Sequence, residues 1–360
     1  MARKPDAVES LEAAREALSV RPSESLRLLP PSSSLPPILR PERDFLYAEA
    51  FREMGFLAKS EKIYASVLSR VDAKEDPALC AEAALASAAV LRSLGRTVEA
   101  RRRLRSAAKT GLAAYSDRIL LEETLVDRAE GRHGASLKAL RKMLARSLGR
   151  NDLSQAGFLL WAIGGAERLA GRLRESAASF ERSLAICRRH RDASGAGYAL
   201  FGLAGVSRIR GRLLDSAAHY REAGRFFEKT EDVFAKAYAH CGLANALRQL
   251  GRLAQAEEHY RRSEALYSSL GDEVDLAYVV WGRGRIREQR GDLASARTLL
   301  QKALAMFLRN KETRGVVLSE IALAQALYAL GRVKEAEALN ARALRRVRRA
   351  GLHTHLEIFT

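Results

Sequence analysis

The 360-residue sequence has few of the residues that stop helices or build disulfide frameworks. Seven of its eight prolines lie in the first 41 residues and only Pro77 follows, so almost nothing after residue 41 forbids helix. Cys80, Cys187 and Cys241 are far apart and form no CxxC pair, which argues against a disulfide framework or a zinc site. No stretch approaches the roughly 18 apolar residues that a membrane span needs.

Catalytic signatures are also missing. The sequence has no GxxxxGK[ST], HExxH or GxSxG motif, and its seven histidines are scattered. We therefore expect a non-enzymatic protein that uses no metal and no cofactor. The first residues, MARKPDAVES, carry charges where a secretory peptide would be apolar, so we expect a cytoplasmic location.

Positive charge is abundant. Lys and Arg total 61 against 43 Asp and Glu, which gives a net charge of +18 at pH 7. Such a balance suits an acidic protein partner or a nucleic acid. Hydrophobic residues make up 47% of the chain, which is enough to fill a sizeable core.

Glycines recur along the chain with a spacing of 40 residues, interrupted once by a spacing of 36. They are Gly55, Gly95, Gly131, Gly171, Gly211, Gly251, Gly291 and Gly331. A small residue stands five positions after each glycine, and a large apolar residue stands nine positions after it in all but the last repeat. This pattern predicts helical hairpins, because glycine ends the first helix in a left-handed conformation and the small residue lets the second helix approach closely.

Four aspartates, also 40 residues apart, stand where a side-chain oxygen would cap the next helix: Asp152, Asp192, Asp232 and Asp272. Each hairpin leaves an apolar face bare, so neighbouring hairpins must stack. The sequence thus predicts an all-α fold, a superhelical solenoid of eight hairpins over residues 43–350. A short helix over residues 7–20 and a Pro/Ser-rich arm precede it within residues 1–42, and residues 351–360 form a tail or cap.

The order LxxxxxxLGRLxxAxxxYxxA, as in residues 243–266, resembles the tetratricopeptide repeat. The 40-residue period resembles the long-repeat subclass found in cell-polarity adaptors of the Pins/LGN type and in bacterial regulatory proteins. The resemblance implies a right-handed superhelix whose first helices line a concave groove. It also implies that residues thirteen, ten, six and three positions before each turn glycine face a ligand.

On one face of the first helices, these four positions hold in order an aromatic, a second aromatic, a small or amide, and a guanidinium side chain. We predict a peptide-binding groove in which rings anchor apolar groups and arginines pair with carboxylates. The predicted residues are Phe158, Trp161, Arg168, Tyr198, Phe201, Arg208, Tyr238, Asn245, Arg248, Tyr278, Trp281 and Arg285. For Asn245 the resemblance implies an amide that holds the backbone of the ligand.

Other interpretations stay open. The repeated rings could pack between adjacent helices, and Arg283 and Arg287, at positions that usually hold apolar or small groups, need acidic partners if they are buried. A second arginine row directly follows the turn glycines and, with the last helix, could bind a polyanion such as nucleic acid without sequence preference. Its members are Arg96, Arg132, Arg172, Arg212, Arg252, Arg332, Arg345, Arg346, Arg348 and Arg349. A regulatory, ligand-sensing repeat module is a third reading.

Overall fold

The computed structural model describes residues 6–18 and 20–352, and the regular structure of these residues is helical. The part of the predicted tail from residue 353 onward lies outside them. The helices are α1 (Ala7–Leu18), α2 (Pro22–Leu28), α3 (Arg40–Glu53), α4 (Leu57–Leu68), α5 (Pro77–Ser93), α6 (Thr97–Lys109), α7 (Ser116–Ala129), α8 (His133–Gly149), α9 (Leu153–Leu169), α10 (Leu173–Arg189), α11 (Ala193–Ile209), α12 (Leu213–Phe227), α13 (Val233–Gln249), α14 (Leu253–Leu270), α15 (Glu273–Gln289), α16 (Leu293–Arg309), α17 (Thr313–Ala329) and α18 (Val333–Ala350).

The helices α3 to α18 pair in chain order into eight hairpins, as predicted. All eight turn glycines have left-handed backbones, with φ between +73° and +86°. At Gly211 the amide donates to the Arg208 carbonyl at 3.0 Å and the Arg212 amide donates to the Ser207 carbonyl at 2.8 Å. This pair of bonds satisfies the last carbonyls of α11 and turns the chain into α12.

Aspartate caps begin several of the first helices. Asp152 accepts from the Gln155 amide at 2.9 Å, and Asp192 accepts from the Gly195 amide at 2.8 Å. Asp272 likewise accepts from the Asp275 amide at 3.0 Å. These bonds confirm three of the predicted caps and explain why α9, α11 and α15 each start directly after the aspartate.

The chain divides into two compact units. Unit 1 contains the described residues up to Ala166 together with Lys229–Val233, and unit 2 contains Glu167–Glu228 and the described residues from Phe234 onward. In unit 1, the Ser23 amide and hydroxyl both donate to the Glu231 carboxylate at 2.6 Å. Lys229–Val233 are therefore held by the N-terminal helices of that unit.

The N-terminal segment packs onto the first hairpin of unit 1. The predicted helix over 7–20 is present as α1, and α2 follows it without having been predicted. The Pro/Ser-rich stretch winds into 3-10 turns at Ser32–Ser34 and Pro37–Leu39. Leu11 and Leu29 share a buried cluster with Phe45, so this segment covers an apolar face that α3 would otherwise expose.

Rings and glycines interlock where successive hairpins of unit 2 meet. In each second helix, an aromatic residue stands nine positions after the turn glycine. Its ring lies against a glycine of the following first helix, and that glycine stands nine positions before the next turn glycine. The pairs are Phe180 with Gly202, Tyr220 with Gly242, and Tyr260 with Gly282. A Cβ atom at any of these glycines would overlap the ring. At the next boundary the ring position holds Leu300 and the glycine position holds Ala322. The ring is replaced by a smaller side chain and the glycine by a larger one.

Arg283 and Arg287, the two charges expected at buried positions, have acidic partners on α14. Arg283 lies 3.1 Å from the Glu257 carboxylate and 2.5 Å from that of Glu264. Arg287 approaches Glu257 at 3.7 Å. The nearly inaccessible Glu257 carboxylate is thus offset by cations on the neighbouring helix, which makes its burial tolerable.

We expect Gly242→Ala to destabilise the protein by about 1–3 kcal/mol, because the added methyl group overlaps the Tyr220 ring and forces it to move. Adding Tyr220→Leu should recover much of this loss, since Leu300 and Ala322 hold the equivalent positions two boundaries further along the chain. Urea unfolding followed by circular dichroism measures both effects.

The matched control is Gly224→Ala, which lies inside α12 with its nearest neighbour, the Ala239 Cβ atom, 3.8 Å from the added group. It should be neutral or stabilising by up to about 1 kcal/mol, because alanine favours helix. Equal destabilisation by both substitutions would contradict the interlock.

Candidate functional site

Unit 2 contains a cavity of about 220 Å³ between its hairpins. The first helices α11, α13, α15 and α17 supply most of its walls, and α12 and α14 each add a tyrosine. The lining residues are Arg208, Tyr220, Tyr238, Cys241, Gly242, Asn245, Tyr267, Asp275, Tyr278, Trp281 and Arg314. Five of them belong to the predicted groove: Arg208, Tyr238, Asn245, Tyr278 and Trp281.

Helical spacing explains this convergence. Tyr238, Cys241 and Asn245 lie three and four residues apart on α13 and share one face. Asp275, Tyr278 and Trp281 repeat the arrangement on α15. Because the hairpins stack at a constant period, these corresponding faces of α13 and α15 both line the cavity.

Aromatic contacts hold the walls of the cavity. The Tyr238 ring lies 4.9 Å from the Phe201 ring, and the Tyr278 ring lies 4.7 Å from the Phe307 ring, both edge to face. The Tyr260 hydroxyl donates to Asn245 Oδ1 at 2.7 Å. The amide oxygen of Asn245 is therefore engaged inside the fold, while the residue still lines the cavity.

Charged groups of both signs reach the cavity. Burial lowers the pKa of Arg314 to about 10, and repulsion from Arg208 adds to this shift. Burial raises the pKa of Asp275 to about 8, and the neighbouring Asp272 and Glu312 carboxylates act in the same direction. The guanidinium groups of Arg208 and Arg314 thus line the same cavity as the Asp275 carboxyl group, which has the Asp272 and Glu312 carboxylates beside it.

The cavity has no activated nucleophile among its lining residues. Burial raises the pKa of the Cys241 thiol to about 12, so the thiolate needed for attack is absent at neutral pH. Burial also raises the pKa of the hydroxyl groups of Tyr220, Tyr267 and Tyr278. These side chains are suited to hydrogen bonding and apolar contact rather than to covalent chemistry.

The other predicted groove residues do not form one site with the cavity. Phe158, which is 41% exposed, and Trp161 lie in unit 1, where their rings are 5.5 Å apart. Tyr198 is half-buried against Phe201 in unit 2. Phe201 and Trp281 are 7% and 2% exposed, so the prediction that these rings face an open groove is wrong. Neighbouring helices cover them, and the Trp281 indole donates to the Leu318 carbonyl at 3.3 Å.

The arginines three residues before the turns brace neighbouring hairpins. In unit 1, Arg128 lies over the Trp161 ring at 5.4 Å and donates to the Ala162 carbonyl. In unit 2, Arg248 lies over the Trp281 ring at 5.5 Å and is 2% exposed. The prediction that Arg248 faces a partner is therefore wrong.

Two further predicted groove arginines also contact neighbouring hairpins of unit 2. Arg168 fills the space above Gly205, where an added Cβ atom would lie 2.5 Å from its Nη1 atom. Arg285 donates to Gln325 Oε1 at 2.5 Å, which links α15 to α17. Several of the arginines three residues before the turn glycines therefore pack against a neighbouring hairpin.

The second arginine row is exposed, and several of its members pair locally. Arg96, Arg212 and Arg332 approach the carboxylate three residues ahead at 2.6, 3.8 and 2.7 Å, and Arg132 approaches Asp127 at 2.6 Å. Arg172 and Arg252 are exposed at equivalent helix starts. On α18, Arg346 approaches the buried Glu320 at 3.3 Å, and the exposed residues are Arg345, Arg348 and Arg349.

Sequence reasoning missed Asp275, Arg314, Tyr220 and Tyr267 as cavity residues. Asp275 and Arg314 stand in the first turns of α15 and α17, and of these two helix starts we considered only the cap Asp272. Their charge within otherwise apolar helix faces was the available signal. Tyr220 and Tyr267 belong to second helices, and only the stacking of hairpins brings them to the cavity.

Unit 1 has a separate cavity of about 360 Å³. Arg15 and Leu18 of α1 line it together with residues of α3, α5, α7 and α9. Its carboxylates are matched locally, since Glu49 pairs with Arg52 at 2.7 Å and Glu122 pairs with Arg92. The walls of this cavity therefore have no clear excess of either charge.

A family model described as the MalT-like TPR region matches residues 196–358, which include every residue lining the cavity of unit 2. No curated protein matches the sequence. None of the described helices combines the length and the apolar composition needed to cross a bilayer.

Solved structures show the same fold at low sequence identity. A Rap protein complexed with competence and sporulation factor is 11% identical over 95% of this chain and 98% of its own, with a TM-score of 0.69. Aspartyl phosphate phosphatase F from Bacillus subtilis is 10% identical over 96% of both chains, with a TM-score of 0.59. A STAND protein with a tetratricopeptide repeat sensor from Pyrococcus horikoshii is 15% identical over 99% of this chain and 56% of its own, with a TM-score of 0.58. The chain thus has the fold of tetratricopeptide repeat proteins, and residues 196–358 match a family model of such repeats.

We expect Asp275→Asn to stabilise the protein more at pH 8 than at pH 5. The raised pKa of Asp275 favours the protonated form in the folded state, so wild-type stability falls as pH rises from about 4 to about 8. The slope contributed by this group is at most about 1.4 kcal/mol per pH unit. Thermal unfolding of both proteins across pH 4–9 measures the difference, and parallel curves would show that Asp275 is not buried as described.

Proposed function

We propose that this protein is a non-enzymatic scaffold that holds an acidic partner segment with apolar anchors against the cavity-bearing face of unit 2. The main support is the cavity itself, where the half-buried Tyr238, Tyr278 and Arg314 bring rings and a guanidinium group together. Rings and arginines are the side chains that most often dominate binding energy at interfaces. One fold neighbour is complexed with a factor, which is consistent with this use of the architecture.

Selection of a peptide library on the purified protein tests the proposal. We expect enriched peptides to contain Asp or Glu next to large apolar residues, because guanidinium groups pair with carboxylates and rings anchor apolar groups. The double substitution Arg208→Gln and Arg314→Gln should weaken their binding at least tenfold, measured by fluorescence polarisation.

The matched control is the double substitution Arg172→Gln and Arg252→Gln, which removes two exposed charges outside the cavity. It should bind the selected peptides as the wild type does. If both double variants bind equally well and both melt as the wild type does, the cavity is not the binding site.

A second candidate function is polyanion binding by the end of α18. Arg345, Arg348 and Arg349 are exposed in its last two turns. The negative end of the helix dipole lies there and favours cations. Several of the arginines that directly follow the turn glycines form ion pairs with nearby carboxylates. The end of α18 is therefore a stronger cationic patch than that row.

For this second function, we expect duplex DNA to bind with log K falling linearly with log salt, at a slope of about −0.9 per phosphate contacted. Replacing Arg345, Arg348 and Arg349 with Gln should make the slope shallower by up to about 3. Titrations at 50–200 mM salt measure it, and an unchanged slope would exclude this helix end as the contact.

A further inference from the structure

Two helices of unit 1 each carry a stripe of exposed cations. These helices, α6 and α8, are the second helices of the second and third hairpins. Within each stripe the cations stand three or four residues apart, so they share one helix face. The basic face, as we call the two stripes together, consists of Arg102, Arg105 and Lys109 on α6 and Lys138, Lys142 and Arg146 on α8.

The repeat places the two stripes on the same side of the stacked hairpins. Arg102 stands seven positions after the turn glycine Gly95, and Lys138 stands seven positions after the turn glycine Gly131. Residues at equivalent positions of consecutive hairpins lie on one side of the stack, because each hairpin packs on its neighbour in the same way. The stripes of α6 and α8 therefore form one surface.

The carboxylates of this region already pair with other arginines. Glu99, the one acidic residue of α6, pairs with Arg96 at 2.6 Å. At the end of α7, Asp127 and Glu130 pair with Arg101 at 2.5 and 2.8 Å. Helix α8 contains no Asp or Glu in its 17 residues. Among the residues that the structure describes, none of the six cations of the basic face forms an ion pair.

The basic face does not follow from the repeat or from the arginine-rich composition alone. In unit 2, the positions equivalent to Arg102 and Lys138 hold Ala178 on α10, Ala218 on α12 and Glu258 on α14. All three residues are exposed, so a cation could stand at each of them. The concentration of positive charge at these positions is specific to unit 1.

The chemistry of the basic face selects the class of partner. Neither α6 nor α8 contains Phe, Tyr or Trp, and their most exposed large apolar residues, Val98 and Leu148, lie in the first turn of α6 and the last turn of α8, outside the stripes. Single-stranded nucleic acids need rings on which bases stack, and membrane surfaces need apolar side chains that insert. Protein interfaces depend on anchors in desolvated pockets. A duplex requires only cations that reach its phosphates.

We propose that the basic face binds the phosphate backbone of a nucleic-acid duplex without sequence preference. Cations on successive turns of a helix are about 5–6 Å apart, and duplex DNA carries one charge per about 1.7 Å of its axis, so several cations contact phosphates together. This inference goes beyond the scaffold function. It uses residues of unit 1 alone, so it depends neither on the cavity of unit 2 nor on the end of α18.

Titration of the full chain into a fluorescein-labelled DNA duplex at 50–200 mM salt, followed by fluorescence anisotropy, tests the proposal. We expect log K to fall linearly with log salt, with a slope of about −5 when all six cations contact phosphates. The triple substitution Lys138→Gln, Lys142→Gln and Arg146→Gln should make this slope shallower by about 2 to 3 and weaken binding at 50 mM salt at least tenfold.

A second triple variant, Arg102→Gln, Arg105→Gln and Lys109→Gln, should have the same effect, so a folding defect in one variant leaves the other as the test. Both should keep the circular dichroism spectrum and melting temperature of the wild type, because Gln, Lys and Arg favour helix similarly. An unchanged slope in either variant that folds would overturn the proposal.

The matched control removes three exposed arginines of α10 in unit 2, Arg174→Gln, Arg182→Gln and Arg189→Gln. It loses the same charge and should bind the duplex within about twofold of the wild type, because charges more than about 10 Å away are screened at 0.1 M salt. An equal loss of binding in this control would show that net charge rather than the basic face is responsible, and would overturn the proposal.

Competition experiments separate the duplex from other anionic partners. Poly-glutamate and vesicles of phosphatidylcholine with phosphatidylserine, each at the same concentration of charge as unlabelled duplex, should displace the labelled duplex less effectively. More effective displacement by poly-glutamate would assign the basic face to an acidic protein, and more effective displacement by vesicles would assign it to a membrane surface. Either result would overturn the proposal.

Discussion

The contact between an aromatic ring and a glycine at three successive hairpin boundaries of unit 2 is the constraint on which the rest of that unit depends. Phe180, Tyr220 and Tyr260 each occupy space that a Cβ atom on the next first helix would fill. Helices that approach this closely leave little room for adjustment, because protein interiors are packed as densely as organic crystals. The interlock thus sets the spacing of the first helices and, with it, the walls of the cavity.

Close stacking also determines the chemistry of the cavity. Side chains that would be solvated on an isolated helix are removed from water by the next hairpin, so burial shifts their pKa values. Burial raises the pKa values of Asp275 and of the Cys241 thiol for this reason. The result is a site in which guanidinium groups, hydroxyl groups and rings lie close together.

The predicted turns and aspartate caps are confirmed because local residues decide them, whereas the predicted exposure of the rings is wrong because neighbouring hairpins decide it. Five groove residues reach the cavity because residues three or four apart share a helix face. Trp281 and Phe201 occupy the predicted helix face yet are covered by adjacent helices. Arg248 lies over a ring of the next hairpin instead of facing outward. The pattern of residues along one helix gives no information about the distances to neighbouring helices, so it could not predict these contacts.

By itself, the sequence determined the eight hairpins, their left-handed turns and three of the aspartate caps, because each depends on residues within a few positions of one another. It also placed Tyr238, Asn245 and Tyr278 on the helix faces that line the cavity of unit 2. Only the tertiary structure decided which rings are sealed and that Asp275 and Arg314, from separate hairpins, line one cavity. Burial and the distance between charges are properties of the stacked hairpins, and no single helix possesses them.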